Sequence, residues 1–405
     1  MSNLMKCRSC SSSELLLILD FKPVPLVGEF TVKPNPDAEH FPIKLYFCTN
    51  CKVLLIAESI DSEKLFNEYS FSSSTVPNLV IHFEQLAKWI VEKIKPKVVF
   101  EIGCNDGILL KPLENLGIKT FGVDISRNIT EVACGKGLDV KKMKFGTDTV
   151  EEISKWVKNV DLITASNTFP HNADPNGFLE SAHQILSDEG KLVLEVMYAG
   201  SLRDYLQWDT VYHEHLHFHS LASLENLLNL NDFYVTHAEI VPMHAGSLRV
   251  IASKKIGTYT EEYLAIKDYE NSTFLNTEQS WIEFAKACKE SIVEIKSGLE
   301  KYSKNGRVWA YGASGRASMW INVAEISFIE KVVDASPLRA SHFMPGSSIP
   351  IVLPEEFEVN PPTAIFVTAW NYFESIITQH PNYRGTWVTP LPKYQEISTS
   401  EDDLK

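Results

Sequence analysis

The chain has 405 residues, of which 44% are hydrophobic and 22% charged, and its formal net charge is −14 at pH 7. This length exceeds one ordinary core and predicts two or three domains. The negative charge argues against a nucleic-acid or anionic-membrane surface, because both require clustered Lys and Arg. No apolar run reaches membrane length, and residues 1–6 lack the apolar core of a signal peptide, so a cytoplasmic location is expected.

Four of the seven cysteines form two Cys-x-x-Cys pairs, Cys7 with Cys10 and Cys48 with Cys51. Each pair can supply two corners of a tetrahedron from one tight turn, and four thiolates without a histidine are typical of a structural zinc site. Reduced thiols and redox chemistry are the alternatives. Short apolar runs between the pairs predict strands. Residues 1–75 are therefore predicted to form a small zinc-binding β module.

A second domain is predicted at residues 76–258. Apolar residues recur at helical spacing through residues 76–95, and Pro96 ends this helix before a buried strand begins at Val98. Further strands are predicted at residues 120–123, 160–164 and 191–196, followed by an antiparallel pair at 233–240 and 247–253. This alternation of strands and helices predicts an α/β fold with a doubly wound sheet.

The turn after the first of these strands reads Glu101-Ile-Gly103-Cys-Asn105-Asp106-Gly107. Its glycines let the chain pass beneath a ligand, and Asp124 ends the next strand, where a carboxylate can hold both ribose hydroxyls. The pattern resembles class I S-adenosylmethionine (SAM) methyltransferases rather than dinucleotide enzymes; an ordinary strand-to-helix turn is the alternative. The expected cofactor contacts are Glu101, Gly103, Asn105, Asp106, Gly107, Asp124, Ser166 and Asn167.

Residues 212–219 contain four histidines, one glutamate and one tyrosine. Transfer of a methyl group to carbon requires a base that removes a C–H proton, and imidazole titrates near neutral pH. The cluster therefore points to carbon methylation. If the segment is extended, its histidines share one face, and a metal site is then the rival interpretation. His213, His217 and His219 are expected to be structural.

Residues 259–405 are predicted to form a helical linker and a Rossmann-like domain. Few helix breakers interrupt residues 261–302, which predict one long helix, and residues 307–311 predict a strand. A glycine turn begins at Gly312, and Asp334 follows later in the chain. Taken alone, this combination suggests dinucleotide binding, which stays open as an alternative for this domain.

Several of these motifs together resemble one family, the C-methyltransferases that act on nucleotide-linked 4-keto deoxysugars. The resemblance runs nearly end to end and implies an N-terminal zinc module, a central methyltransferase domain and a C-terminal Rossmann-like domain. The chain departs from the family at Ala245 and at Ala317-Ser318, where Gly and Gly-Asn are usual. The motifs that carry the resemblance are Cys-Arg-Ser-Cys at 7–10, Cys-Thr-Asn-Cys at 48–51, Phe-Glu-Ile-Gly-Cys-Asn-Asp-Gly at 100–107, Asn-Thr-Phe-Pro-His at 167–171, Tyr-His-Glu-His at 212–215, Gly-Ser-Leu-Arg at 246–249 and Gly-Ala-Ser-Gly-Arg at 312–316.

The resemblance implies a mechanism. A 4-keto group acidifies the C-3 proton of the sugar, but the enolate oxygen must be stabilised while that proton leaves. His215 is expected to be the base, with Glu214 orienting an imidazole or sharing the proton. Tyr212 and Tyr69 are expected to donate hydrogen bonds to the developing oxyanion or to contact the sugar, and His171 is expected to contact the sugar.

The resemblance also implies ligands. These are SAM as methyl donor, one structural zinc ion and a nucleotide-diphosphate sugar, with a TDP carrier as the first expectation. The expected substrate contacts are Ser247, Arg249, Ser314 and Arg316. For Ser314 and Arg316, which lie at a predicted helix start, a diphosphate partner competes with simpler roles as helix cap and surface residue. A monomer or a weak homo-oligomer is expected.

Two other classes of function stay open on the sequence alone. One is a methyltransferase of the same scaffold with another acceptor, by O- or N-methylation or on a sugar without a thymidine carrier. The other is a dinucleotide-dependent oxidoreductase or a catalytically silent binding module.

Overall fold

The computed structural model describes residues 5–67 and 72–398, so the predicted site residue Tyr69 lies outside the described residues. The chain divides into two compact units. The first contains residues 1–16, 46–200 and 214–280, and the second contains residues 17–45, 201–213 and 281–405. The units are discontinuous because the chain passes between them several times. The domain boundaries at residues 75 and 258 stay a prediction.

The strands of the described residues follow the order expected from the sequence. In chain order they are β1 (Leu15–Val24), β2 (Phe41–Cys48), β3 (Leu54–Ile56), β4 (Val98–Ile102), β5 (Lys119–Asp124), β6 (Val140–Lys142), β7 (Val160–Ser166), β8 (Leu186–Met197), β9 (His217–Phe218), β10 (Tyr234–Val241), β11 (Ser247–Ser253), β12 (Val308–Tyr311), β13 (Ile329–Val333), β14 (Ile351–Val352), β15 (Ala364–Val367), β16 (Thr386–Thr389) and β17 (Gln395–Ser398). Strands β1 and β2 confirm the two runs predicted between the cysteine pairs.

Helices separate most of these strands. In chain order they are α1 (Ser62–Phe66), α2 (Pro77–Lys93), α3 (Leu110–Asn115), α4 (Arg127–Gly135), α5 (Val150–Trp156), α6 (Pro175–Ile185), α7 (Ala199–Asp204), α8 (Leu221–Leu230), α9 (Glu261–Ser272), α10 (Glu278–Ser303), α11 (Gly315–Val323), α12 (Pro354–Val359) and α13 (Phe373–Gln379). Within residues 5–67 and 72–398, no helix has the length and apolar content needed to cross a bilayer.

The main sheet of the first unit has seven strands in the order β10-β11-β8-β7-β4-β5-β6. Strands β4 to β8 run parallel, while β11 pairs antiparallel with β8 and with β10. The predicted doubly wound sheet and its antiparallel addition are therefore confirmed. The order in which strands are added reverses at β4, with β5 and β6 on one side and β7 and β8 on the other. The carboxyl ends of β4 and β7 therefore flank a crevice of the type that binds ligands in such sheets.

Helix α2 packs on this sheet through the apolar face that its spacing predicted. The buried residues of that face are Leu79, Phe83, Leu86, Ala87 and Ile90, which join a core cluster with Val99, Leu162 and Val193 of the strands. Pro77 occupies the first turn, where a missing N–H costs nothing, and Lys95 leaves the helix with φ +55° ahead of Pro96. The helix was predicted to within two residues at each end.

The second unit contains a six-stranded sheet in the order β14-β13-β12-β15-β16-β17. Its strands are parallel except β17, which pairs antiparallel with β16. Trp309 and Ile365 lie in its core with Trp387, all fully buried. The parallel strands and their crossover helices confirm the Rossmann-like prediction for the C-terminal region.

The single helix predicted over residues 261–302 is wrong, because the chain breaks between α9 and α10. Phe274 adopts φ +53°, and the N–H of Leu275 bonds back to the carbonyl of Glu270. The hydroxyl of Thr277 then accepts a hydrogen bond from the N–H of Ser280 at 3.3 Å. A hydroxyl that receives the free N–H groups of a first turn starts a new helix, which the apolar spacing does not reveal.

Candidate active site and zinc centre

The glycine turn after β4 meets the turn after β7 at the carboxyl edge of the first unit's sheet. Gly103 adopts φ +72°, a conformation that an L side chain rarely tolerates. A Cβ atom on Gly103 would lie 2.1 Å from Oγ1 of Thr168. The amide of Gly103 donates to the carbonyl of Val123 at 2.8 Å, which seats the turn on the end of β5. Glycine is therefore required both by the backbone conformation and by the neighbouring turn.

Asp124 organises this turn from the end of β5. Its Oδ2 accepts the backbone N–H of Asn105 at 2.9 Å, and its Oδ1 accepts that of Ser126 at 2.8 Å. Burial raises the pKa of Asp124, and these backbone hydrogen bonds oppose the rise. The side chain of Ser126 and the backbone of Ile125 also bond to this carboxylate, which is thereby held in one orientation at the end of β5, where a ribose can bind.

Glu101 lies in the sheet just before the turn and is 2% exposed. Burial raises its pKa well above the usual range, and Asp124, Asp106 and Glu195 raise it further. Among the described residues, its Oε2 has no hydrogen-bond partner. A group of buried carboxylates beneath a glycine turn favours a cationic ligand, because a nearby positive charge stabilises their ionised form.

The side chains of Asn105 and Asp106 hold the segment at residues 72–74. Both residues are also predicted to contact the cofactor. Oδ2 of Asp106 accepts the hydroxyl of Ser72 at 2.7 Å, and Oδ1 of Asn105 accepts the N–H of Ser73 at 2.9 Å. Lys136 forms an ion pair with Asp106 at 3.3 Å. Oδ1 of Asp106 is buried and has no partner among the described residues, so the cofactor role predicted for these two residues stays a prediction.

The turn after β7 presents unused polar atoms at the same edge. Asn167 adopts φ +55°, and its N–H donates to the carbonyl of Glu195 at 2.7 Å. Its Oδ1 accepts the hydroxyl of Ser247 at 3.4 Å, whereas Nδ2 of Asn167 and Oγ of Ser166 are buried and unbonded within the described residues. Buried polar atoms are normally hydrogen-bonded, so these two mark a place for a ligand.

Arg249 is bound by two carboxylates within the sheet. It lies opposite Glu195 in β8 and Glu239 in β10, and it is 6% exposed. Its Nε and Nη2 bond to Oε1 of Glu195 at 2.6 and 2.5 Å, and its Nη1 bonds to Glu239 at 3.1 Å. The guanidinium also lies 4.7 Å from the ring centre of Trp89. Carboxylates of the sheet thus hold this buried cation, and the substrate contact predicted for Arg249 stays a prediction.

Ser247 is buried against the turn after β7 and is not exposed on the surface. It is fully buried, and its hydroxyl lies 3.1 Å from the carbonyl of Met243 as well as against Asn167. Just before it, Ala245 adopts φ +63° at the position where the resembled family usually has glycine. The contacts of Ser247 support a role in orienting Asn167.

His171 and His215 lie together beside the β7 turn. His171 ends the short 3-10 turn Phe169–His171 that follows Asn167, and its ring lies 5.1 Å from that of His215 at an interplanar angle of 63°. Phe66 packs edge-on against His171 at 5.4 Å. Burial lowers the pKa of His171 to about 4. At neutral pH it is therefore an uncharged imidazole, while the partly exposed His215 keeps access to the edge of the sheet.

The segment at residues 213–219 is not extended throughout, so the condition for one shared histidine face is not met. His213 and Glu214 lie in a turn, and His217–Phe218 forms a short strand. Nε2 of His217 lies 3.0 Å from the carbonyl of Asn172, and Nδ1 of His219 lies 3.2 Å from the hydroxyl of Ser223. These contacts agree with the structural role expected for both histidines.

His213 points to a different partner. In the second unit, its Nε2 lies 3.2 Å from the carbonyl of Phe41, and burial lowers its pKa to about 4. Among the described residues, the four paired cysteines form the group with metal-binding geometry, and no histidine belongs to it. The rival metal site built from histidines is therefore not supported.

Tyr212 and Glu214, which flank His213, fall in different units. In the second unit, the ring of Tyr212 lies over the first residue of α11, because a Cβ atom on Gly315 would be 2.9 Å from its Cζ. In the first unit, Glu214 is 9% exposed, and its backbone hydrogen-bonds to His171. Their proposed catalytic roles stay predictions.

Asp209 anchors the segment that precedes Tyr212 within the second unit. Its carboxylate is fully buried and accepts the indole N–H of Trp320 at 3.1 Å and of Trp370 at 2.9 Å. Arg316 adds an ion pair at 3.4 Å and lies 4.8 Å from the ring centre of Trp370. The sequence gives no sign of this role for Asp209, since a lone Asp outside any motif carries no spacing signal.

These contacts bear on the two residues predicted to bind a diphosphate. Arg316 is not a surface residue, since Asp209 and Trp370 hold its guanidinium, but five N–H donors leave capacity for a second anion. The hydroxyl of Ser314 precedes α11 without capping it, and it is buried without a partner among the described residues. The cap interpretation of Ser314 is wrong, and both diphosphate contacts stay predictions.

The second unit repeats the acid-capped turn of the first. Gly312 adopts φ +101°, and Oδ2 of Asp334 accepts the N–H of Ala313 at 2.8 Å. Oδ1 of Asp334 accepts the N–H of Ser336 at 2.8 Å, and Arg339 pairs with the same carboxylate. Such a turn suits a nucleotide, which keeps a nucleotide-binding role for this region in view.

The four paired cysteines come together as the sequence predicted. Their sulfur atoms all lie within 4.8 Å of one another, with Cys7 3.6 Å from Cys51 and Cys10 3.6 Å from Cys48. Zinc–sulfur bonds of about 2.3 Å in a tetrahedron place sulfurs about 3.8 Å apart, so the cluster fits zinc. A site of four protein thiolates leaves no position for a substrate, which makes it structural.

Comparison with known proteins agrees with this geometry. Three family models match the chain, described as a putative zinc-binding domain at residues 7–66, a methyltransferase domain at 82–238 and a C-methyltransferase C-terminal domain at 242–392. The C-methyltransferase NovU of Streptomyces niveus is 26% identical over 407 aligned positions, which cover 97% of each chain. The chain belongs to the SAM-dependent C-methyltransferases.

Other proteins share only part of this C-methyltransferase. The mitochondrial ubiquinone biosynthesis O-methyltransferase of Bos taurus is 31% identical over 101 residues, or 24% of this chain and 27% of its own. The magnesium protoporphyrin IX methyltransferase of Synechocystis PCC 6803 is 14% identical and covers 44% of this chain and 83% of its own, with a TM-score of 0.35. Neither match extends over the whole C-methyltransferase.

Replacing Gly103 with Ala should weaken SAM binding in this C-methyltransferase. The new Cβ would meet Thr168, and its left-handed backbone adds about 1–2 kcal/mol of strain. Gly117 is the matched control, since it has φ +82° and open space around its Cβ position. We expect Gly117→Ala to lower the melting temperature but not SAM affinity, and Gly103→Ala to weaken affinity at least about tenfold by calorimetry. Equal SAM affinities in the two variants would contradict this prediction.

Acid should destabilise the first unit through its neutral histidines. Burial lowers the pKa of His171 and of His217 to about 4, and that of His219 further. The unfolded chain takes up these protons below about pH 6.5, so the free energy of unfolding falls as pH drops from about 6.5 towards 4.

Differential scanning fluorimetry across this pH range provides the measurement. His217→Asn keeps a donor for the carbonyl of Asn172 but removes the titrating group, so its melting temperature should depend less steeply on pH. His40→Asn changes an exposed histidine and should keep the parent slope. Zinc thiolates are common to all three proteins and cancel in the comparison. Identical slopes for His217→Asn and the parent would refute the assignment.

Proposed function

We propose that this C-methyltransferase methylates C-3 of a nucleotide-diphosphate 4-keto deoxysugar. The observation that carries the proposal is the pairing of His171 with His215 beside the β7 turn, at the sheet edge where Gly103 meets Thr168. A base and the cofactor turn therefore belong to one edge of one sheet. Methylation of an amine often needs no such base, and the relative that matches over the full length is a C-methyltransferase.

The residues around the Gly103 turn suit SAM. Asp124 is oriented to accept ribose hydroxyls. Oε2 of the buried Glu101 has no partner among the described residues, and this carboxylate favours a positive charge. Asn167 and Ser166 add unbonded polar atoms. When bound, SAM supplies an electrophilic methyl group on a sulfonium. The four cysteines would hold zinc away from this chemistry.

His215 is the proposed base. Its imidazole takes the proton as the C-3–H bond breaks, and the electron pair moves into the enolate of the 4-keto group. Carbon 3 then forms its bond to the methyl group while the sulfur–methyl bond breaks, which leaves S-adenosylhomocysteine. The imidazolium returns its proton to solvent. Because proximity accounts for much of such a reaction, the base and both ligands must be held in one geometry.

Further residues are proposed to complete the site. His171 stays neutral at working pH, so it can donate a hydrogen bond to the sugar or to the enolate oxygen without adding a charge. Glu214 is buried and its backbone holds His171. Tyr212 is proposed to contact the sugar or its oxyanion, as is Tyr69, which lies outside the described residues. Arg316 and Ser314 are proposed to bind the diphosphate. The TDP carrier is part of this proposal.

Product analysis tests the reaction. The chain is incubated with SAM that carries a labelled methyl carbon and with TDP-4-keto-6-deoxy sugars. We expect one methyl group per product, with NMR coupling that places the label on C-3. A label attached to oxygen or nitrogen would refute C-methylation, and no transfer to any TDP sugar, with transfer to another nucleotide sugar, would refute the carrier.

Replacement of His215 tests the base. His215→Ala should lower turnover by about two to four orders of magnitude, the usual contribution of general-base catalysis, and leave SAM affinity near the parent value. Asp124→Ala should do the reverse and weaken SAM binding first. His40→Asn controls for loss of an exposed imidazole.

Isotope exchange separates proton removal from methyl transfer. Deuterium at C-3 should pass into solvent with the parent chain when methyl transfer is blocked by S-adenosylhomocysteine, and should be retained with His215→Ala. Washout at the parent rate in His215→Ala would assign the base to another residue.

A further inference from the structure

The strand that follows the second cysteine pair is hydrogen-bonded to the segment that carries His215. Three residues after Cys51, strand β3 begins at Leu54 and pairs antiparallel with β9, so that Leu54 faces Phe218 and Leu55 faces His217. The N–H of Ile56 extends this ladder to the carbonyl of Leu216 at 3.1 Å. The backbone one residue after His215 is thus hydrogen-bonded to the strand that leaves the zinc site.

The first cysteine pair reaches the other histidine through Arg8. Arg8 lies between the ligands Cys7 and Cys10, and its Nη2 donates to the carbonyl of Ala57 at 2.5 Å. Its Nη1 donates to the carbonyl of Ala173 at 3.3 Å, two residues after His171. One guanidinium therefore bridges the residue after β3 and the loop after the His171 turn.

A second side chain fastens the same turn of the zinc site. Nδ2 of Asn176 donates to the carbonyl of Arg8 at 2.9 Å and to that of Ser9 at 3.2 Å. Its Oδ1 accepts the amide of Asn231 in turn, at 3.0 Å. Asn176 belongs to the first turn of α6, so the regular part of the sheet fold also contacts the Cys7–Cys10 turn.

The two histidine segments are also bonded to each other. The N–H of Leu216 donates to the carbonyl of Pro170 at 2.9 Å, and Nε2 of His217 lies 3.0 Å from the carbonyl of Asn172. The residues around His171 lack regular structure beyond one 3-10 turn. Such a loop has no ladder of its own to fix it, so its position depends on these few polar contacts.

We propose that Arg8 is a positioning residue, which transmits the geometry of the zinc-bound cysteine turn to the segments that carry His171 and His215. A metal-closed turn is rigid, and a base displaced by about 1 Å can lose about a hundredfold in rate. The zinc site then braces the catalytic pair in addition to stabilising the fold. The inference rests on the proposed role of His215.

The test compares Arg8→Met with Lys6→Met in the full chain. Both remove one positive charge and keep an unbranched side chain, but Lys6 is exposed and outside the cysteine turn. We expect Arg8→Met to keep one zinc per chain and SAM affinity within about twofold of the parent, while kcat falls about ten- to a hundredfold. Lys6→Met should match the parent in zinc content, SAM affinity, kcat and hydrogen exchange.

Hydrogen–deuterium exchange provides the readout that does not depend on activity. Peptides covering residues 169–176 and 214–218 should exchange faster in Arg8→Met, because two carbonyl contacts are lost, while the peptide of β4 stays unchanged. Asn176→Asp offers a second approach that leaves Arg8 in place, since a carboxylate cannot donate to the two carbonyls. We expect the same change in the same peptides, and this variant decides the matter if Arg8→Met loses zinc.

Unchanged exchange and unchanged kcat in a zinc-loaded variant of Arg8 or Asn176 overturn the inference. Faster exchange in both histidine peptides with lower kcat supports it. Failure of the proposed function has a different signature, in which His215→Ala retains turnover and deuterium washout, and this does not affect the exchange measured in Arg8→Met.

Discussion

The close approach of two turns at the carboxyl edge of the first unit's sheet constrains the whole site. Gly103 brings the backbone after β4 against Thr168 after β7, and no side chain fits between them. The crevice flanked by these strand ends is where a doubly wound sheet binds its ligand. On one side the turn is seated by Val123 and Asp124, and on the other the chain continues through Asn167 to His171. The positions of the cofactor turn and of the histidine pair are therefore both fixed by the contact between these two turns.

Burial sets the electrostatics around this edge in two opposite directions. It raises the pKa of Glu101 and lowers the pKa of His171, so both tend towards their neutral forms. A carboxyl group in this state responds strongly to an arriving cation, whereas a neutral imidazole can donate without repelling it. The proposed methyl donor is a cation, and the proposed enolate is an anion. The same burial therefore favours a carboxyl group that an arriving cation can ionise and a neutral imidazole that can donate a hydrogen bond to an anion.

Buried ion pairs hold two arginines that the sequence predicts as ligand contacts. Arg249 pairs with Glu195 and Glu239 within the sheet. Arg316 pairs with Asp209, which also accepts the indole N–H groups of Trp320 and Trp370. Removal of one member would leave an unpaired buried charge, which is costly. Polar residues in a family motif can thus hold the scaffold that the ligand contacts, rather than the ligand itself. Glu195, the partner of Arg249, belongs to the same scaffold, since its carbonyl also accepts the N–H of Asn167.

Much of this protein could be derived from local patterns. Alternation of apolar runs predicted six of the seven strands of the first unit's sheet, all but β6, and the apolar face of α2 predicted its burial. The Cys-x-x-Cys pairs predicted a zinc site, and the distance from Gly103 to Asp124 predicted the acid-capped turn. These features depend on spacing along the chain, which repeats with the geometry of a helix, strand or tight turn.

The break between α9 and α10 and the bent histidine segment escaped the same approach, since neither changes the apolar periodicity. The glutamate within the apolar run of β8 was the available sign that Glu195 had a buried partner, but the sequence does not say which cation it binds. Asp209 and the serines that hold Asp106 gave no sign at all. Their partners lie far away in sequence, and only folding brings them together.

The sequence by itself determined the order of elements, the metal ligands and the class of chemistry, because those follow from residue types at fixed spacing. Tertiary structure decided which polar side chains stay available for ligands. That outcome depends on burial and on partners tens to hundreds of residues away, as with Arg8 and Ala173 or Arg249 and Glu195. A hydrogen bond is made by atoms that meet in space, and a linear pattern carries no distance between them.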